Sequence, residues 1–355
     1  MKAAHYFFIT ICAASGSGGM EVKMNLKTRI LYTKTFDPWW NLAVEEYLLD
    51  SVQKDQCILY LWQNQNTVVI GKNQNAWREC RTKLLEKEGG KLARRISGGG
   101  AVFHDIGNLN FTFLMNRENY DFEKQAGVIL TAVQKLGIAA EMTGRNDLTI
   151  EGRKFSGNAF CFRKSNAYHH GTILVSVDIN KLTRYLQVSE EKIKSKGIQS
   201  IRSRVVNLTE YKPALTIDEV AYAVMEAFKE TYGGNPPITD DTDWMNGTAL
   251  EELYKKYASW EWRYGEAPKF DIDLRTRFPW GGIEVGLQLV KGKIKKAYVY
   301  SDAMDEELIS TIPQVLEGCI FESATLAKSI RSLEVEGERK RIMEDIADWL
   351  YNKGF

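Results

Sequence analysis

The sequence predicts an α/β protein of mixed α+β type, with a large N-terminal domain followed by a small C-terminal α+β accessory domain. Three observations predict it. Short apolar runs rich in β-branched and aromatic residues alternate with amphipathic stretches over the first two thirds of the chain. Two breaks, the Gly/Pro/Asp-rich stretch 233–243 and Gly265-Glu266-Ala267-Pro268, set off the remainder. The length of 355 residues exceeds the roughly 250–300 that one hydrophobic core supports. The expected division is an N-terminal extension outside the fold at 1–24, a main domain at 25–262, a linker at 263–271 and the accessory domain at 272–355.

The elements follow in order. Arg29–Tyr32 is a first strand. Asp37 and Pro38 open a helix running to Leu49, with Asp37 as its cap and Trp39-Trp40 packing into the core. Cys57–Trp62 and Thr67–Gly71 read as a strand pair across Gln63–Asn66, and Trp77–Glu88 as one helix ended by Gly89-Gly90. Strands are expected on either side of a glycine turn near residue 98, then at Leu109–Met115. A helix at Phe122–Leu136 ends at Gly137. Leu148–Ile150 and a strand beginning at Lys154 flank a tight turn at Glu151-Gly152. A further strand spans Gly171–Ile179, and helices are expected around Leu182–Leu186, at Ile217–Tyr232 and at Leu250–Trp260. In the last unit, strands at Gly282–Val290 and Lys293–Tyr300 join through Lys291-Gly292, before helices at Asp305–Ile312, Ala324–Leu333 and Ile342–Trp349.

Charge is nearly balanced, with 47 Lys+Arg against 46 Asp+Glu. No global field points to nucleic acid or an anionic membrane as partner. The five cysteines are odd in number and lack CxxC pairs, which argues against a disulfide framework or a cysteine zinc site and for a reducing cytoplasm. Met1–Gly19 holds a short apolar run after Lys2. It is too short to span a bilayer and only weakly similar to a signal peptide, so it is read as an upstream extension.

The polar chemistry gathers in two stretches. The first is Arg94-Arg95-Ile96-Ser97-Gly98-Gly99-Gly100-Ala101-Val102-Phe103-His104-Asp105. Glycines let backbone approach a ligand closely, successive amides in such a turn form an anion site, and guanidinium forks suit phosphate or carboxylate. A glycine hairpin with two solvated arginines is the competing reading. The stretch is not a GxxxxGK[ST] loop, and it is not a GxGxxG opening a helix, because Val102-Phe103 continues as strand. The second stretch, Thr143–Thr172, sets Asn146, Asp147, Lys154, Ser156, Asn158, His169 and His170 around short strands, as expected where polar groups orient a ligand in an apolar pocket.

Together these stretches resemble the lipoate–protein ligase family. The loop Arg94–Asp105 is similar to the family's signature, and Gly144-Arg145-Asn146-Asp147 with Arg153-Lys154-Phe155-Ser156-Gly157 resembles the segment carrying its essential lysine. His169-His170-Gly171-Thr172, Lys196-Gly197-Ile198-x-Ser200-x-Arg202-Ser203 and Trp260-Glu261-Trp262 resemble later motifs of its two-domain form. The resemblance implies a biotin/lipoate–protein ligase-like catalytic domain with a small C-terminal domain. It also implies an ATP-dependent ligase that converts lipoate to lipoyl-AMP and then acylates a lysine of a carrier domain.

The site residues expected on that basis are definite. Lys154 is the catalytic residue, fixed between carboxylate and α-phosphate. Arg95, Gly100, Ala101, Val102 and Phe103, with Lys154, hold ATP and the adenylate. Ser97, Gly99 and His104, with Lys154, hold lipoate, and Trp62, Val69 and Phe103 wall its apolar chain. Asn146, Asp147, Ser156 and His169 are further candidates, with Asp147 as the magnesium ligand. Lys196–Arg204 is similar to an adenylate-covering loop. The implied substrates are ATP and lipoate, with Mg2+ as cofactor. The implied partners are lipoyl-carrier domains of 2-oxoacid dehydrogenase complexes and the glycine-cleavage carrier protein. The nearest alternative is an octanoyl or lipoyl transferase of the same fold working through a cysteine. Cys161 is the residue in question, but it sits between Phe160 and Phe162 and reads as a small hydrophobe. Biotin ligases and a nucleotide-binding regulator are the other readings.

Overall fold

The computed structural model describes residues 26–143, 147–187, 205–264, 271–290 and 292–355. The N-terminal extension, Gly144–Asn146, the Lys196–Arg204 segment and the Gly265–Pro268 linker expected from the sequence lie outside the described residues.

In chain order, the elements of the catalytic region begin with β1 (Lys27–Tyr32), α1 (Pro38–Ser51), β2 (Gln56–Trp62), β3 (Thr67–Ile70), α2 (Ala76–Glu79), α3 (Thr82–Lys87) and β4 (Lys91–Arg94). Next come β5 (Val102–His104), β6 (Asn108–Asn116), α4 (Phe122–Lys135), β7 (Glu141–Thr143), β8 (Asp147–Ile150), β9 (Arg153–Arg163), β10 (Asn166–Leu174) and α5 (Ile179–Tyr185). The region closes with α6 (Ile217–Tyr232), β11 (Ile238–Thr239), α7 (Gly247–Ala258) and α8 (Trp260–Tyr264). The C-terminal unit comprises β12 (Ile272–Phe278), β13 (Gly281–Val290), β14 (Lys293–Ser301), α9 (Glu306–Leu316), α10 (Ser323–Arg331) and α11 (Gly337–Tyr351).

Eight strands form the main sheet in the order β11-β1-β2-β6-β10-β9-β8-β7, and β4-β3-β5 form a second, small sheet. Successive residues of a strand point to opposite faces. Leu59, Leu61, Phe111, Phe113 and Ile173 thus build one core with α4 and α6, while Tyr60, Trp62, Leu114 and Tyr168 build the other with α1 and α7. The small sheet adds Val69 and Ala93 to that second core, so the site lies between the two sheets. The C-terminal unit has a core of its own, made by β13, β14 and its three helices.

Local chemistry explains the element ends. Asp37 accepts from Trp39 N at 3.1 Å with Pro38 in the first turn, and Thr216 and Glu219 form a capping box at the start of α6. Glu151 and Gly152 have φ of 51° and 73°, the conformation of the tight turn that the sequence predicts between β8 and β9.

Three expectations are corrected. The runs at 57–62 and 67–71 are not a hairpin: β2 lies between β1 and β6, while β3 pairs with β4 and β5 in the small sheet. Asn41 holds the corner between them, donating to Gln63 O at 2.8 Å and Asn64 Oδ1 at 3.0 Å. The helix expected at Trp77–Glu88 is two. Cys80 is extended at φ −136° and bridges to Leu186, while Arg81 N donates to Tyr185 O, so α5 captures the break. Finally, α9 continues through Pro313 to Leu316, and β12 precedes the two strands predicted for this unit. The alternating sequence Ile272-Asp273-Leu274-Arg275-Thr276-Arg277-Phe278 is an edge strand with one face in water.

Candidate active site

The glycine stretch leaves β4 with both arginines turned inward. Arg94 is buried and donates to the carbonyls of Gly71, Lys72, Gln74, Trp262 and Arg263. Arg95 is also buried. Its Nε donates to Ser97 Oγ at 3.0 Å and to Gly98 O, its Nη1 to Val69 O, and its Nη2 to Gly98 O and Gly100 O. Burial lowers both guanidinium pKa values to about 10, so both remain charged at neutral pH. The competing reading of two solvated arginines is therefore wrong: each one is the scaffold of a loop. Gly99 has φ 87°, a region that favours glycine.

This loop borders a cavity of about 380 Å³. Arg95, Gly99, Gly100, Ala101, Val102, Phe103 and His104 line it from one side. Lys154, Ser156, Gly157, His170 and Thr172 line it from β9 and β10. Leu42, Trp62 and Val69 add apolar wall. Lys154 Nζ lies 2.6 Å from Asp147 Oδ1, and both side chains are about two-fifths exposed, at 38% and 42%. Gly157 makes room for the lysine, since a Cβ there would sit 2.8 Å from Nζ. The strand is further held by Val206 N donating to Lys154 O at 3.0 Å.

A directed hydrogen-bond chain underlies the cavity. Trp62 Nε1 donates to Thr112 Oγ1 (3.2 Å), and Thr112 Oγ1 donates to Glu45 Oε1 (2.7 Å). From the other side, Ser97 Oγ accepts from Arg95 and is hydrogen-bonded to His170 Nε2 (2.9 Å), and His170 Nδ1 donates to Glu45 Oε1 (2.8 Å). One carboxylate on α1 thus fastens the apolar wall and the glycine loop to the same point.

The two histidines part company. His170 and Thr172 face the cavity, whereas His169 lies on the opposite face of β10. There His169 stacks on Phe113 and bonds to Gln125 and Asn158. Burial lowers its pKa to about 3. Ser97 is fully buried beneath the loop rather than lining the cavity. Asp147 adjoins through Lys154, while Asn146 lies outside the described residues. Glu45, Asn110, Thr112 and Thr172 were not anticipated. The usable signal was parity along β10 and β6, once the pairings Thr172–Asn110 and Asn110–Trp62 are known.

The C-terminal unit completes the enclosure. Met304 lines the cavity, Gly99 N donates to Ala303 O at 3.0 Å, and Ser301 N donates to Asn73 O at 2.8 Å. Asn73 Nδ2 donates to Glu306 O at 2.9 Å, and Arg78 pairs with Glu284 and, at 3.2 Å, with Asp273. A Cβ on Gly98 would sit 2.5 Å from Ala303 O and 2.6 Å from Met304 O, so glycine is required where the two units meet.

A two-sheet domain thus sets a lysine opposite a glycine loop across the cavity, and the α+β unit caps it. Residues 37–229 match the lipoyl protein ligase A/B catalytic domain, and residues 267–350 match the bacterial lipoate protein ligase C-terminus. The chain belongs to the lipoyl protein ligase A/B family. Its structure is similar to that of P. falciparum LipL1 in complex with lipoate, at TM-score 0.80 and 28% identity, covering 92% of this chain and 99% of that one. A bipartite lipoate protein ligase from Thermoplasma acidophilum, studied with its E2 lipoyl domain, is 32% identical at TM-score 0.62, covering 70% and 100%. A lipoate-protein ligase A bound with ATP is 28% identical at TM-score 0.58, covering 68% and 99%.

Proposed function

We propose that this chain is an ATP-dependent lipoate–protein ligase. The observation that carries the reading is Lys154, which faces the glycine loop across a mostly apolar cavity in a catalytic domain of this family. In the first step a lipoate carboxylate oxygen attacks the α-phosphorus of ATP. The bond to the β-phosphate oxygen breaks and pyrophosphate leaves. Charge gathers at the α-phosphate, and the Lys154 ammonium offsets it without having to be brought into place during the step. The amides of Gly100–Phe103 hold the nucleotide and the apolar wall holds the acyl chain. In the second step a carrier-domain lysine amine attacks the acyl carbon, an amide forms and AMP leaves.

Arg95 acts in this scheme by shaping the loop, because four of its five N–H groups are already used by carbonyls and Ser97. His104 and Ser156 border the lipoate. Ser97 acts from beneath, through His170. Mg2+ generally takes one or two protein carboxylates together with substrate phosphates, which fits the lone Asp147 carboxylate beside Lys154. Bound there, the ion would neutralise phosphate charge. The carriers in this reading are lipoyl domains of 2-oxoacid dehydrogenase complexes and the glycine-cleavage carrier protein. A cytoplasmic setting suits the four unpaired cysteines among the described residues, and no helix among those residues is long and apolar enough to cross a membrane.

A cysteine transferase is disfavoured by the setting of Cys161. It is buried, and burial pushes its thiol well above the ordinary range, opposite to what a thiolate nucleophile needs. The test is pyrophosphate release from ATP, followed by mass analysis of a lipoyl-carrier domain. The ligase reading requires release that depends on lipoate, and a carrier that gains one lipoyl group. Acylation from an acyl-carrier thioester without ATP would overturn it.

A further inference from the structure

The cavity crosses the main sheet. From Lys154 and Gly157 on β9 its floor passes Thr172 on β10, Asn110 on β6 and Trp62 on β2, with Thr172–Asn110 and Asn110–Trp62 directly paired. Neighbouring strands lie about 4.8 Å apart, so Asn110 is about 10 Å from Gly157. A medium-chain acid with its carboxylate at Lys154 therefore ends its tail near Asn110, Trp62 and His104. This inference rests on the ligase reading above.

That end of the cavity is apolar in its walls but holds unpartnered polar atoms. His104 is 4% exposed and its Nε2 has no hydrogen-bond partner. The tautomer follows from its neighbours. Asn41 Nδ2 lies 3.2 Å from Thr35 O and 2.8 Å from Gln63 O, which fixes its amide, and its two hydrogens are shared among these carbonyls and Asn64 Oδ1 at 3.0 Å, a position where a second NH2 would set N–H against N–H. Asn64 must then present Nδ2 to His104 Nδ1, at 3.2 Å, so His104 carries its proton on Nε2. Burial lowers the pKa of this ring to about 3, which keeps it neutral. Asn110 is 2% exposed and shares one amide contact with Asn108 at 2.9 Å. Whichever way those two amides are turned, one end of Asn110 is free.

We propose that His104 Nε2–H, with the free end of Asn110, selects acids carrying a hydrogen-bond acceptor such as sulfur near the tail over saturated acids of equal length. Sulfur is a weak acceptor, but a buried donor facing only alkyl carbon keeps its full desolvation cost. The preference should be about tenfold in Kd, as one recovered buried hydrogen bond implies.

The experiment is calorimetric binding of lipoate, octanoate and 6-thiaoctanoate to the full chain, without ATP. The third acid has nearly the shape of the second and adds one sulfur. The proposal expects lipoate and 6-thiaoctanoate to bind about tenfold more tightly than octanoate, and His104→Phe to remove the difference by weakening the sulfur acids and tightening octanoate. Equal binding of 6-thiaoctanoate and octanoate by the wild-type chain overturns the selection while leaving the ligase reading in place. So does a His104→Phe chain that melts normally and keeps the preference. Binding of none of the three acids removes the ligase reading as well. Because the wild-type comparison needs no variant, the proposal is testable even if His104→Phe does not fold.

Discussion

Glu45 Oε1 accepts from His170 Nδ1 at 2.8 Å, and this contact on a carboxylate 1% exposed connects α1 to β10 on the cavity face of the main sheet. The same oxygen accepts from Thr112. Glu45→Ala leaves two buried donors without an acceptor and should cost about 2–4 kcal/mol. Glu45→Gln keeps an acceptor of the same shape and should cost about 1 kcal/mol. Urea denaturation of the two variants measures both values, and equal losses would show that the carboxylate is not the anchor.

Lys154 is partly exposed and its main contact is Asp147. Lys154→Ala should lower lipoate-dependent pyrophosphate release on the order of 10²–10³-fold, the scale of losing one preorganised charge at a developing oxyanion. The melting temperature should move little, because a partly exposed ion pair contributes about 1 kcal/mol or less. A large fall in both would make the lysine structural.

Glu306 gives the C-terminal unit a pH dependence. Its carboxyl is buried against the catalytic domain and its pKa is raised to about 7, chiefly by burial. Its own helix backbone, the Cys161 thiol and Lys72 act the other way, and Asp305 adds to the rise. A carboxyl raised in the folded state contributes stability that is complete below the ordinary value near 4.5 and lost as pH climbs to about 7. Glu306→Gln should therefore melt like wild type in acid and progressively higher than it up to neutrality, by on the order of a few degrees. Melting curves across that range decide it, and a constant offset would exclude the carboxyl as the cause.

Gly98 lies directly against the C-terminal unit, where a Cβ would sit 2.5 Å from Ala303 O. Gly98→Val should push Ala303 and Met304 away, so the C-terminal unit undocks while each core stays folded. Small-angle scattering should show a larger radius, and protease should cut faster near residue 265. An unchanged radius would mean that the loop yields instead.

Much of this was legible in the chain before any coordinates. The helices at 122–135 and 217–232 carry their own caps and amphipathic faces, and the Glu151-Gly152 turn is encoded by two residues. The corner after Trp62 was not legible, because every residue of β3 and almost every residue of β2 is buried and alternation carries no signal. The choice between His169 and His170 was likewise hidden. Strand parity says that they face opposite ways, but only the position of β10 between β6 and β9 says which face holds the cavity. The inward turn of Arg95 depends on carbonyls from β3 and its own loop, a set of acceptors that no local pattern reveals.

The bond from Gly99 N to Ala303 O commits this amide of the glycine loop to the C-terminal unit. An anion that takes this N–H must displace the carbonyl, and a docked carbonyl must disfavour the anion by the same factor, because binding free energies are reciprocal. For such an anion, occupancy and the position of the C-terminal unit would be one equilibrium, read out at a single backbone nitrogen.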